Sequence, residues 1–198
     1  MDTEPTDKRR FVVGLGNPGR QYVGTRHNVG FEVVAELGRR WSLGEPVLKF
    51  GGAVLDGQIA GVRTTMLAPQ TYMNRSGESV RKMTDFYKAS PKDVLVVLDD
   101  MALEPGRLRL RPRGSAGGHN GLSDIFRHLG TQELPRLRLG IGSPPGRMDS
   151  ADYVLSRFRS DEIETIELAV KTAADAVEDW LGGDVQQVME KYNRKPED

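Results

Sequence analysis

Cysteine does not occur in this chain of 198 residues. Disulfide frameworks, thiolate nucleophiles and thiolate metal sites are therefore excluded. Long apolar runs are missing as well. The longest, Val94 to Leu98, falls far short of the roughly 20 residues that cross a bilayer. The first ten residues, MDTEPTDKRR, hold no apolar segment of the kind a secretion signal needs, so the expected compartment is the cytoplasm. Histidine is scarce: His27, His119 and His128 are the three, and no pair has the i,i+4 spacing of a zinc-binding helix. Neither a G-x-S-x-G nucleophile elbow nor a G-x-x-x-x-G-K-[ST] phosphate loop occurs. No metal and no cofactor is expected. Net charge is zero, so the bulk balance announces no polyanionic partner.

The distribution of charge is less even. Residues 105–159 carry ten arginines against four acidic side chains, and residues 161–184 carry eight acidic side chains against one lysine. A basic middle beside an acidic helix permits a local polyanion site on a neutral protein. With 37% hydrophobic and 28% charged residues the chain reads as globular, and its length suits one domain. Residues 1–9 are expected as a disordered tail, 10–192 as the domain and 193–198 as a flexible tail.

Periodicity predicts strands at Phe11–Leu15, Ala53–Leu55, Val62–Leu67, Val94–Leu98, Arg107–Arg111 and Leu137–Ile141, with a turn-rich DGQIAG between the second and third. It predicts helices over Asn28–Leu43, Ser76–Ala89, Asn120–Leu129 and Ile163–Leu181. Val94–Leu98 has no alternation, as in a strand buried on both faces. Strands alternating with helices imply an α/β fold, parallel at its centre and covered on both sides.

The stretch FVVGLGNPG formally spells the dinucleotide fingerprint, Gly14-x-Gly16-x-x-Gly19. That fingerprint places its third glycine in the first turns of a helix and an acidic residue about twenty positions on. Here the polar stretch RQYVGTRHN follows, and the one acidic candidate, Glu36, lies mid-helix. A nicotinamide-dependent reductase is therefore a minor reading. The polar cluster Asn17, Tyr22, Arg26, His27 and Asn28 falls in the loop after a strand, where open α/β sheets bind ligands. Asp99-Asp100 ends a second such strand. In SAGGHNGL, Gly117-Gly118 precede His119-Asn120 at a helix start. That arrangement suits either an anion held by backbone N–H groups or a simple Asn120 cap. Asn74 sits in APQTYMNRSG before another helix, where Asn74-Arg75-Ser76 spells a glycosylation sequon that means nothing without secretion. A carboxylate on one nitrogen of His27 would leave the other as a base for water.

Together the stretches VGLGNPGRQYVGTRHNVGF (13–31), APQTYMNRSG (68–77), LDDMALEPGRLRLRPRGSAGGHNGL (98–122) and RLRLGIGSP (136–144) resemble bacterial-type peptidyl-tRNA hydrolase. They span most of residues 11 to 160. The resemblance implies one monomeric α/β domain with a twisted mixed sheet. It also implies hydrolysis of the ester between peptide and tRNA, without metal or covalent intermediate. By similarity His27 is the base and Asp99, rather than Asp100, its orienting partner. Asn17, Asn74 and Asn120 match the family's asparagines around the substrate, Tyr22 and Met73 match residues lining it, and Gly117, Gly118 and His119 match a mobile loop. A non-catalytic RNA-binding module of the same fold is the alternative, and possession of His27, Asp99 and all three asparagines argues against it.

Arg107, Arg109, Arg111 and Arg113 recur every second residue, so on a strand they share one face, roughly 6.5–7 Å apart. Such a row suits phosphates or merely guards an edge. The resemblance favours tRNA contact for Arg109, Arg111 and Arg138, leaving Arg107 and Arg113 open. Pro112 is expected to interrupt strand pairing. Ser143 in GIGSP stands where some family members carry a larger polar or basic residue.

Overall fold

A computed structural model describes residues 9–194. The chain runs through β1 (Arg10–Gly14), α1 (Val29–Arg40), β2 (Val47–Lys49), β3 (Gly52–Ile59), β4 (Val62–Pro69), α2 (Ser76–Tyr87), β5 (Val94–Asp100) and β6 (Leu108–Arg111). It continues through α3 (Asn120–Leu129), β7 (Arg136–Gly140), α4 (Ser150–Val154), α5 (Ile163–Gly182) and α6 (Val185–Tyr192). One seven-stranded sheet has the order β2-β3-β4-β1-β5-β7-β6. Its centre, β4-β1-β5-β7, is parallel, and the flanking pairs β2/β3, β3/β4 and β6/β7 are antiparallel. The expected mixed α/β sheet is the one observed.

Alternation of side chains divides the core in two. Val12, Leu95 and Val97 pack with Val33 and Leu37 of α1 and Ala173 and Val177 of α5. Phe11, Val13, Val94 and Val96 pack with Val80 and Met83 of α2 and Leu122 and Ile125 of α3. Every residue of β5 is buried, which is why its sequence shows no alternation.

The glycine run has a packing role. A Cβ on Gly14 would stand 2.1 Å from the Gly30 carbonyl oxygen, and one on Gly30 would stand 2.3 Å from the Leu15 nitrogen. The two glycines thus let the first turn of α1 lie directly on β1. Gly19, with φ 111°, instead serves the turn that follows, and two tight turns at Arg20–Tyr22 and Arg26–Asn28 separate it from α1.

Some local expectations differ from the structure. Asp56 to Ile59 of DGQIAG belongs to β3, in register with Val62–Thr65, and the reversal is Ala60-Gly61, both with positive φ. Cross-strand pairing overrides the turn preference of Asp and Gly there. The short β2 and α4 have too few residues to show a period, whereas α6 carries one, with Val185, Val188, Met189 and Tyr192 on the packed face, beyond the last helix expected from sequence. Arg9 donates to Asp56 Oδ1 at 2.6 Å, and the Asn193 amide bonds both backbone groups of Leu110. Residues 1–8 and 195–198 of the two expected tails lie outside the described residues.

Candidate active site

The turn Arg26–Asn28 is held from both sides. The Arg26 N–H donates to the Ser156 carbonyl at 2.9 Å. The Arg26 guanidinium donates to both Glu162 oxygens, at 3.0 and 2.6 Å, and lies over the Tyr153 and Phe158 rings. Although the sequence groups it with the polar cluster of the site, Arg26 is therefore an internal tie between this turn and the start of α5. The Asn28 amide bonds both backbone groups of Asn17, accepting from its N–H at 2.8 Å and donating to its carbonyl at 3.0 Å.

Between these anchors His27 faces the end of β5. Its Nδ1 lies 2.7 Å from Asp99 Oδ1, so Nδ1 carries the proton and Nε2 keeps its lone pair. Asp99 receives a second imidazole, His119, whose Nε2 lies 3.0 Å from the same oxygen. His119 Nδ1 accepts from the Leu122 N–H at 3.3 Å, which puts the ring proton on Nε2, facing Asp99. The cap of α3 is thus His119, where sequence suggested Asn120. Burial pushes the Asp99 pKa up, but His119 and His27 together outweigh it and hold the carboxyl well below the usual carboxylate range.

The ligand atoms of His27, Asp99 and His119 lie within 4.8 Å of one another, close enough to grip a metal ion. Each imidazole already directs its nearer nitrogen at the carboxylate in a hydrogen bond, which a metal would have to displace.

A cleft of about 590 Å³ opens over this centre, lined by His27, Asp99, Asp100, Gly117, His119, Asn120, Arg138 and Ser143 among others. Gly117 and Gly118 have φ of 60° and 82°, which frees the loop to pass close to the Arg138 guanidinium. The Ser143 hydroxyl donates to the Met101 carbonyl at 3.1 Å. Asn17 reaches the centre indirectly. Its Oδ1 accepts from the Met73 N–H at 2.8 Å, and Met73 Sδ lies 2.5 Å from where a Cβ on Gly121 would be. Gly121 therefore lets the first turn of α3 rest on Met73. Asn74 is exposed and Tyr22 half-buried; neither lines the 590 Å³ cleft. A second groove of about 640 Å³ between α1 and α5 includes Glu32, whose pKa burial raises, but no imidazole.

The arginine row is shorter than sequence implied. Leu108 and Leu110 are buried, which turns Arg109 and Arg111 to the opposite face of β6, in register with Arg138 and Arg136 of β7. Arg107 precedes the strand, with its Nε buried and without a partner, and Pro112 separates Arg113, which lies 4.0 Å from Glu133. Like charges directly across a ladder are unfavourable. Arg136 is buried, donates to the carbonyls of Leu134, Gly114 and Ser115, and has its pKa lowered to about 10 by burial and by Arg138. Arg138 pairs with Asp100 at 2.8 Å. Arg109 and Arg111 make no ion pair among the described residues.

A parallel-centred sheet with a carboxylate joining two imidazoles at the end of β5, beside a row of arginines, defines the class: an α/β enzyme with an imidazole–carboxylate centre. Residues 11–198 match the family described as Peptidyl-tRNA hydrolase. The chain is 50% identical over 184 residues to the peptidyl-tRNA hydrolase of Rhodopirellula baltica, covering 93% of this chain and 97% of that protein. It is 47% identical to that of Bacillus cereus, covering 93% and 99%. The crystal structure of the peptidyl-tRNA hydrolase from Acinetobacter baumannii superposes with a TM-score of 0.88 at 37% identity, covering 97% of each chain. The chain belongs to the peptidyl-tRNA hydrolase family and is a hydrolase. None of the described helices is long and apolar enough to cross a membrane.

Proposed function

We propose that this protein cleaves the ester joining a peptide to the terminal ribose of tRNA by direct attack of water activated by His27. The observation that carries the reading is the 2.7 Å contact of His27 Nδ1 with Asp99, which leaves Nε2 as the acceptor beside the cleft. A water hydrogen-bonded to Nε2 gives up a proton as its oxygen bonds to the ester carbonyl carbon. The carbonyl–ribose bond then breaks, and the imidazolium returns the proton to the ribose oxygen. Asp99 stabilises that imidazolium electrostatically. Side-chain amides of Asn17, Asn74 and Asn120, with Tyr22, Met73, Gly117 and His119, hold the acyl side. Arg109, Arg111 and Arg138 meet tRNA phosphates.

The chemistry proceeds without metal or covalent intermediate in this reading. Support comes from both imidazoles directing a nitrogen at Asp99 rather than leaving it free for a metal. Action as a monomer is part of the same reading. The test is turnover of N-blocked aminoacyl-tRNA in the presence of a chelator. His27→Ala is expected to lower kcat by about 10²–10⁴-fold while RNA binding persists. Undiminished turnover in that variant sinks the mechanism, and a parent protein that binds tRNA without turnover points to the binding module instead.

A further inference from the structure

We propose that Asp100 is a positioning residue that aims the Arg138 guanidinium at a phosphate of the RNA substrate. The inference rests on the functional reading above. Asp99 and Asp100 are consecutive on β5, so their side chains leave opposite faces of the strand. Asp99 turns to the imidazoles, and Asp100 turns to the face that carries Arg138 and Arg109.

Asp100 is 8% exposed and is fixed by its own surroundings. Its Oδ1 accepts from the Ala102 N–H at 2.9 Å, and its backbone carbonyl accepts from Ile141 N–H at 3.0 Å. Among the described residues its Oδ2 is buried, has no hydrogen-bond donor, and faces Arg138 Nε at 2.8 Å as an ion pair. Contact through Nε leaves both Nη groups of Arg138 without a partner among the described residues. Those groups lie beside Gly117, where a Cβ would stand 3.1 Å from Nη2, and Arg138 lines the cleft over His27. The 2.8 Å charge contact of Oδ2 with Nε tethers the stem and leaves the two Nη groups as a two-pronged donor, which matches two phosphate oxygens. Asp100 also offsets the repulsion between Arg138 and the directly opposed Arg109.

The sign of the effect separates positioning from bulk charge. Asp100→Asn removes a negative charge beside a polyanion site, so electrostatics alone makes RNA binding tighter. Loss of aim makes it weaker. Asn keeps an oxygen for the Ala102 N–H, so the turn survives. With N-blocked aminoacyl-tRNA as probe, the expected result is a KM raised by roughly fivefold with kcat changed less than twofold. Arg138→Lys, which keeps the charge but loses the fork, should raise KM similarly. In an Arg138→Ala background, Asp100→Asn should have no further effect on KM. A KM that falls or stays unchanged in Asp100→Asn overturns the inference, as does a loss that persists in the Arg138→Ala background. No turnover by the parent protein overturns the functional reading together with it, whereas normal parent turnover with an unmoved KM overturns the inference alone.

Discussion

Arg26 and His27 are neighbours in one tight turn, and their surroundings differ in kind. Arg26 directs four of its five N–H donors at a carboxylate, a hydroxyl and a carbonyl, and its guanidinium lies over two aromatic rings. His27 has one nitrogen engaged by Asp99, and the residue lines the cleft. The same contrast recurs on β6 and β7, where Arg136 is enclosed by carbonyls and Arg109 and Arg111 make no ion pair among the described residues. A polar group whose valences are all met inside the fold belongs to architecture. One with a valence left over is available to a ligand.

Substitutions that attack the two kinds of residue should separate cleanly. The largest effect on rate beyond His27 itself is expected from Asp99→Asn, which keeps the shape but withdraws the charge that stabilises the imidazolium. A fall in kcat of about 10²–10⁴-fold in a protein that still folds is expected, by analogy with the comparable substitution in serine proteases; full activity would refute the orienting role. Arg26→Ala should invert that pattern. It leaves the half-buried Glu162 without its partner and empties the space over the Tyr153 and Phe158 rings, and is expected to cost about 1–3 kcal/mol of stability, read by denaturant unfolding. Turnover per folded molecule should change far less than in Asp99→Asn. Arg109→Ala and Arg111→Ala should leave Tm in place, raise KM several-fold and flatten its dependence on salt, because phosphate contacts release counterions.

The smallest and broadest effect is on pH dependence. Hydrogen bonding to Arg26 holds the Glu162 pKa below its ordinary value, and the imidazoles do the same for Asp99. A carboxyl whose folded pKa is lowered contributes stability that is complete above its unfolded pKa, about 4, and is lost as pH falls through the folded value. Tm is therefore expected to be level from neutrality to about pH 5 and to decline below pH 4. Glu162→Gln should make that decline shallower; an unchanged slope would remove Glu162 from the account.

How far all this could be read in advance depends on whether the cause is local. The β5 strand, with its run of Val and Leu, and α3, ending at Gly130 with φ 68°, follow from periodicity and backbone freedom within a few residues. The loop holding His27 and the strand ending in Asp99 were likewise visible as strand-end polar clusters. Their contact spans 72 residues and exists only once β1 and β5 pair, so no spacing rule contains it. Arg26 misled for the same reason, since its partner Glu162 lies 136 residues away. The resemblance puts His119 in a loop beside the cleft, yet its ring bonds Asp99, because the fold brings the start of α3 against the end of β5 across 20 residues of sequence. The arginine ladder was overextended because alternation in sequence carries past Pro112 while strand pairing does not.

The ring of His119 acts as a clasp: one nitrogen closes the opening turn of α3 and the other meets Asp99. Any excursion of the neighbouring glycines that carries this ring away releases the helix end and strips a donor from the carboxylate in the same event. Fraying of α3 and loosening of Asp99 are then a single equilibrium, and amide exchange at Leu122 would report on both.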